Sequence, residues 1–219
     1  MWARRATRFS AARFLTARFL AILAFAAGLS MPALAAEILK GAAADAEARA
    51  AAAHLGKVNT LAAEFDMLSA SGLNQGRIFV DRPREAIRVE FDPPLGHLIL
   101  VNGARTQFFG GEGTEIETAT SGTPFAFLMS PVEALDDSVD VLQVTRKDSD
   151  VTIAVAERGN RENGQIILMF KGAGAWRLVE WGMFDKEGGF TQTRLRNVQT
   201  GAAMDRDLFR APEREEPNQ

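Results

Sequence analysis

Over most of the chain, from Leu61 to Val198, apolar residues recur at every second position, the period of a strand with one buried face. Ile78 and Val80 alternate with Arg77, Phe79 and Asp81, and Ile87, Val89 and Phe91 with Arg88 and Glu90. Val151, Ile153 and Val155 alternate with Thr152, Ala154 and Ala156. With further segments at 60–69, 97–102, 106–109, 115–118, 140–146, 165–171, 175–184 and 190–198, the pattern predicts about eleven antiparallel strands. Turn signals separate them: Ser71-Gly72, Asn102-Gly103, Gly110 to Gly113, Asn163-Gly164 and Glu187-Gly188-Gly189. Two stretches have the helical period instead. Residues 37–59 place Ile38, Leu39, Ala42, Ala46, Ala50, Ala53 and Leu55 on one broad, shallow face, suited to lying against something flat. Thr123-Pro124-Phe125 opens a short helical insert running through Leu135, with Thr123 as N-cap and Pro124 at the first helical position. The expected fold is therefore α+β, mainly β: one strongly bent antiparallel sheet with about three helical pieces. Helices that cap such a sheet without filling it leave an apolar pocket; the plainer alternative is that side chains fill the space.

The first 35 residues read as an export signal. Arg4, Arg5, Arg8, Arg13 and Arg18 form a basic region, Phe19–Leu29 an apolar run too short to span a bilayer, and Ala33-Leu34-Ala35 a small-x-small cleavage pattern. Five basic and no acidic residues leave with it, so 20 basic against 28 acidic residues remain, a net charge of −8. Nucleic acid and anionic bilayers are poor partners for such a surface, which leaves at most transient membrane proximity. The chain has no cysteine, which excludes thiol catalysis, Cys-ligated zinc and anchoring through an acylated Cys. Export without disulfides fits a Gram-negative periplasm. The remaining domain runs from 36 to 212, with a loose tail at 213–219.

Chemistry-bearing residues are sparse. His54 and His97, the two histidines, share no ligand spacing, so no metal is expected. No serine stands in a nucleophile motif, and the glycine-rich turn lacks the Lys-Ser/Thr of a phosphate loop. Glu112, Glu115, Glu117, Asp136-Asp137 and Glu215-Glu216 read as solvated turns, so the expectation is a non-enzyme without cofactors. Arg82 stands out. It closes a strand, and Pro83 blocks further pairing and biases it to an extended backbone. Its five donors can tie down the carbonyls of a covering helix, although a surface pair with Asp81 or Glu85 is the plainer reading.

The segment Gly76-Arg77-Ile78-Phe79-Val80-Asp81-Arg82-Pro83, followed by Ile87 to Pro94 and Ile99-Leu100-Val101-Asn102-Gly103, resembles the periplasmic outer-membrane lipoprotein carriers of the LolA type. Val58 to Phe65, Thr123-Pro124-Phe125 and Asp207-Leu208-Phe209 resemble further stretches of that family, so the likeness covers 37–212. It departs at Phe65-Asp66-Met67, where the family has Phe-x-Gln, and at Ile87 and Val89, which replace an aromatic pair after a one-residue insertion near Arg84-Glu85.

The resemblance implies an eleven-stranded incomplete barrel under a helical lid, and a hydrophobic cavity for the acyl chains of lipoproteins. It implies Arg82 as the lid latch, and as partners an inner-membrane lipoprotein-release transporter and an outer-membrane receptor. Candidate cavity residues are Ile78, Val80, Ile87, Val89, Phe91, Leu98 and Leu100 from the first strands and Phe125, Leu128 and Met129 from the insert. Ile153, Val155, Ile167, Met169, Val179, Trp181 and Met183 come from the later strands. A periplasmic lipid- or lipoprotein-sensing regulatory domain is the alternative use of the same sheet.

Overall fold

The computed structural model describes residues 36–110, 115–121, 123–135, 139–172 and 176–212. The export signal, Glu112, Asp136-Asp137 and the tail from 213 lie outside the described residues. Twelve strands form one antiparallel sheet. They are β1 (Glu37–Leu39), β2 (Thr60–Ser69), β3 (Gly72–Asp81), β4 (Ala86–Phe91), β5 (Leu98–Asn102), β6 (Arg105–Phe109), β7 (Glu115–Ala119), β8 (Val139–Lys147), β9 (Asp150–Glu157), β10 (Gly164–Lys171), β11 (Arg177–Asp185) and β12 (Phe190–Thr200). The eleven strands read from the alternation are all present. The twelfth is β1, which the sequence assigns to the start of the Ala-rich helix. Ile38 and Leu39 instead pair with Thr145 and Val144 of β8, and Gly41, at φ +53°, turns the chain into α1 (Ala42–Gly56). Only a residue without Cβ adopts that turn cheaply.

The strand order is β1-β8-β9-β10-β11-β12-β2-β3-β4-β5-β6-β7. β2 to β7 form one meander and β8 to β12 another, joined where β12 pairs β2; β1 and β7 are the two ends, so the sheet is open. This order fixes the role of the insert. β7 lies at one edge and β8 beside the other, so the chain between them must cross the sheet's open side. It crosses as α2 (Pro124–Met129) and α3 (Pro131–Glu133).

Pairing assigns the faces. Val80, Ile87, Val101 and Thr106 stand in one row across β3 to β6, and Ile78, Val89, Ile99 and Phe108 in the next. Ile153, Leu168 and Trp181 continue the same face across β9 to β11. All of these except Thr106 and Phe108 share one core with Phe127 and Leu128 of α2 and with Ala44, Ala48, Ala51, Ala52 and Leu55 of α1. The face read from the sequence is not the one the helix buries: Ala42, Ala46, Ala50 and Ala53 are exposed, and of the helical positions named only Leu55 lies in the core. The methyl side chains of Ala44, Ala48, Ala51 and Ala52 instead let the helix backbone come close to its neighbours.

Candidate functional site

β3 ends at Asp81, and Arg82 begins a 3-10 turn, Arg82–Arg84, that leads into β4. The turn closes through the Glu85 N–H, which donates to the Arg82 carbonyl at 2.9 Å, with Glu85 left-handed at φ +50°. The extended conformation expected one residue before Pro83 is found two residues before it, at Asp81, and the Arg82 N–H still donates to the Asn59 carbonyl at 2.9 Å as the 3-10 turn begins. Neither surface pair of the plainer reading forms. Asp81 is engaged by Arg84 at 2.8 Å, and the Arg82 guanidinium reaches inward. Its Nε donates to the Leu128 carbonyl in α2 at 2.7 Å, and Nη1 donates to the Val58 carbonyl in the link between α1 and β2. One side chain thus ties the end of β3 to both helical covers. Its Nη2 is buried without a hydrogen-bond partner, and burial pushes the guanidinium pKa down to about 10. The guanidinium makes no ion pair with any described carboxylate.

The insert is also fixed at both ends. Before α2, the Thr120 N–H donates to the Ala104 carbonyl at 2.9 Å, and Thr120 Oγ1 donates to the Gly103 carbonyl at 3.0 Å while paired with Thr106 Oγ1 at 3.0 Å. Thr123 occupies the N-cap position with Pro124 after it, as expected, yet its hydroxyl donates back to the Thr120 carbonyl at 2.6 Å and caps nothing. Past α3, Arg158, just beyond β9, donates through Nη2 to the Val139 carbonyl at 3.0 Å and reaches the Leu135 carbonyl at 3.5 Å. Between these anchors, Ser130 and Pro131 break the helix in two. Arg82 holds the middle of a strap whose ends are tied elsewhere.

Beneath the strap the space is mostly occupied. Val80, Ile87, Ile153 and Phe170 have no exposure. A cavity of about 330 Å³ remains between the insert and β9 to β11, lined by Phe127, Ala134, Val139, Val155, Ile166 and Met183, with Arg158 also in its wall. That is near the lower end for ligand pockets, about 300–1,000 Å³. At the far side of the sheet the inner row is uncovered, and Ile116 of β7, opposite Phe108, is 59% exposed.

Of the candidate cavity residues, the structure brings Ile78, Val80, Ile87, Val89, Phe91, Phe125, Leu128, Met129, Ile153, Val155 and Trp181 into the one core, and Met183 into the cavity wall. Four others take the opposite face. Leu98 stands across from Glu90, Leu100 from Arg88, Ile167 from Ala154 and Gly182, and Met169 from Thr152 and Glu180. Leu100 is nevertheless buried. It lies on the face where the C-terminal segment, with its 3-10 turn Arg206–Phe209, packs on β4 and is held by Arg88 Nη1 donating to the Leu208 carbonyl at 2.9 Å. Val179 is the extra residue of a bulge opposite Met169 and Phe170. Missed from sequence were Phe127, Leu168 and Phe170, the alanine face of α1, and the anchors Thr120 and Arg158.

His97 packs edge-to-face on Phe91, Glu115 accepts from Gln107, and Glu117 pairs with Arg105 at 3.8 Å. Among the described residues no group of three His, Asp or Glu could hold a metal, and no helix is long and apolar enough to cross a membrane.

An open antiparallel half-barrel, crossed by a helical strap that a half-buried arginine pins at its middle, is the architecture of a lipoprotein-carrier-type domain. Residues 56–212 match the profile of the outer membrane lipoprotein carrier protein LolA, and the chain belongs to that family. An uncharacterized conserved protein from Thermus thermophilus shares the fold, with a TM-score of 0.50 at 11% identity over 76% of this chain and 95% of that one. A LolA superfamily protein from Nitrosomonas europaea gives 0.44 at 12% identity, over 75% and 97% of the two chains. Lipoprotein LppX of Mycobacterium tuberculosis gives 0.44 at 11%, over 76% and 100%. No curated protein matches the chain.

Proposed function

We propose that the protein is a non-enzymatic periplasmic shuttle. It accepts acylated lipoproteins from an inner-membrane release transporter, shelters their acyl chains under α2 and α3, and passes them to an outer-membrane receptor. Each acyl CH₂ buried contributes about 0.8 kcal/mol, so exposing two or three long chains to water costs on the order of tens of kcal/mol. Unaided transit is negligible. A carrier that works without nucleotide hydrolysis must also let go, and the work of displacing a closed strap lowers its net affinity. The observation that carries this reading is the Arg82–Leu128 bond: it holds the strap down over a hollow with room for little more than the cavity described. Bound chains would displace the strap and break that bond, and its re-formation would favour release.

Purification of the mature protein from a native membrane fraction should recover acylated polypeptides at about one per carrier by mass spectrometry. An Arg82→Leu variant should retain its cargo and fail to deliver it in reconstituted transfer to an acceptor membrane. A consistently empty wild-type protein, or normal delivery by the variant, would contradict the shuttle.

A further inference from the structure

The closed strap leaves Arg82 incompletely satisfied. Nε and Nη1 have carbonyl partners in Leu128 and Val58, whereas Nη2 is buried with none. Buried donors are nearly always paired, and an unpaired one costs about 1–3 kcal/mol, more on a charged group. The two partners in place are both neutral carbonyls, so the pocket around the guanidinium is built from acceptors without formal charge. Displacement of α2 would free Nε as well, and the planar guanidinium would then present the N–H groups of two nitrogens, Nε and Nη2, under the raised strap.

Resting on the carrier reading above, we infer that Arg82 is also a cargo-binding residue: with the strap raised, its freed N–H groups donate to the ester carbonyls that join acyl chains to the lipoprotein terminus. The arginine then exchanges one carbonyl for another. Cargo carbonyls replace that of Leu128 and supply the missing partner of Nη2, so the latch reads the polar junction of the lipid while the sheet takes the tails. Burial that disfavours the charged guanidinium accords with a donor held away from water for such a partner. Arg82 lies at the end of β3, beside the inner row headed by Val80 and Ile87, so a junction at Arg82 places the chains along the apolar face.

The test compares a diacylglyceryl-cysteine peptide with the same peptide carrying ether-linked alkyl chains of equal length, which lack the ester carbonyls. For the wild-type protein, equilibrium binding should favour the ester peptide by about tenfold or more, the worth of one charge-assisted hydrogen bond. In Arg82→Leu, shown folded by circular dichroism, the two affinities should become equal. Equal affinities in the wild type would overturn the inference while leaving the carrier reading intact, and this arm requires no variant. An ester preference that survives in Arg82→Leu would overturn it too, since another group would then be reading the carbonyls. Failure of the wild type to bind either peptide would overturn the carrier reading and the inference with it.

Discussion

Arg82 and Arg84 lie in one 3-10 turn and reach to opposite faces of the sheet. Arg82 holds the Leu128 carbonyl of the strap inside, while Arg84 Nη1 pairs with Asp81 at 2.8 Å and donates to the Met204 carbonyl of the C-terminal segment outside at 3.0 Å. That outer segment is further tied by Thr60 Oγ1, which donates to the Ala202 carbonyl at 2.8 Å. The latch turn is therefore braced from behind, and its rigidity is a property of both faces.

Arg84→Ala should loosen that brace. It leaves the Asp81 carboxylate, whose side chain is 6% exposed, without its ion pair, and frees the Met204 carbonyl. Because Arg84 itself is partly exposed, the expected loss is about 1–3 kcal/mol and no more. Urea unfolding measures it, and hydrogen exchange at the α2 amides should rise with it. A stability change without faster α2 exchange would mean that the two faces are uncoupled.

The latch should be indifferent to pH across the ordinary range. Arg82 remains charged until about pH 10, and its partners are carbonyls, which do not titrate. Burial lowers its pKa in the folded state below the ordinary arginine range, so above about pH 10 the unfolded chain binds the additional proton and this group's contribution to stability rises with pH. Below about pH 9 it contributes almost no slope. Uptake of a hydrophobic dye by the wild-type protein should proceed at the same rate from about pH 6 to 9; a rate that changes severalfold there would place control of the strap in another group.

Gly76 is required by the aromatic floor. A Cβ at this position would lie 2.0 Å from the Glu90 carbonyl oxygen and 2.7 Å from the Phe65 ring, which meets Phe91 edge-to-face at 5.3 Å. Since the nearer obstacle is backbone, Gly76→Ala must push β3 from β4 or displace Phe65. The expected cost is about 1–3 kcal/mol by chemical denaturation; a neutral substitution would show that the strands yield freely at this position.

How far the sequence discloses this molecule follows from which patterns it contains. Clean alternation around Ile78, Val80, Ile87 and Val89 gives both the strands and their buried face. In Gln165-Ile166-Ile167-Leu168-Met169-Phe170 every position after the first is apolar, so parity is silent, and the register alone puts Leu168 and Phe170 inside and Ile167 and Met169 outside. Leu98 and Leu100 mislead for a related reason: Leu-Ile-Leu-Val is uniformly apolar because the C-terminal segment also covers part of the outer face. β1 is hidden because Glu37–Leu39 adjoins a strong helical pattern and its strand character comes from pairing with a distant segment. Arg82 stands out because Pro83 ends a strand beside a long-chain donor, but its latch role comes from the family resemblance, since the residues alone favour a surface pair. Thr120 and Arg158 do not stand out, since a threonine in a turn and an arginine after a strand are common, and only the path of the strap gives them work.

The pair Thr106 and Thr120 offers the sharpest test that the strap is fixed at its ends. Both residues are buried, with the hydroxyls 3.0 Å apart, and Thr120 Oγ1 passes the chain on to the Gly103 carbonyl. Thr120→Val alone leaves the Thr106 hydroxyl buried and unpaired, which should cost about 1–3 kcal/mol. Replacing both residues with valine removes that orphan while keeping the shape, so the double variant should be less destabilised than the sum of the two single ones. Its strap should nonetheless open more often, because the bond to Gly103 is gone in either case; hydrogen exchange at Ala126 and Ser130, whose amides bond within the insert, reports this. Strict additivity in urea unfolding would show that the two hydroxyls do not act as a unit. Unchanged exchange in the double variant would show that the Thr120 side chain does not hold the strap.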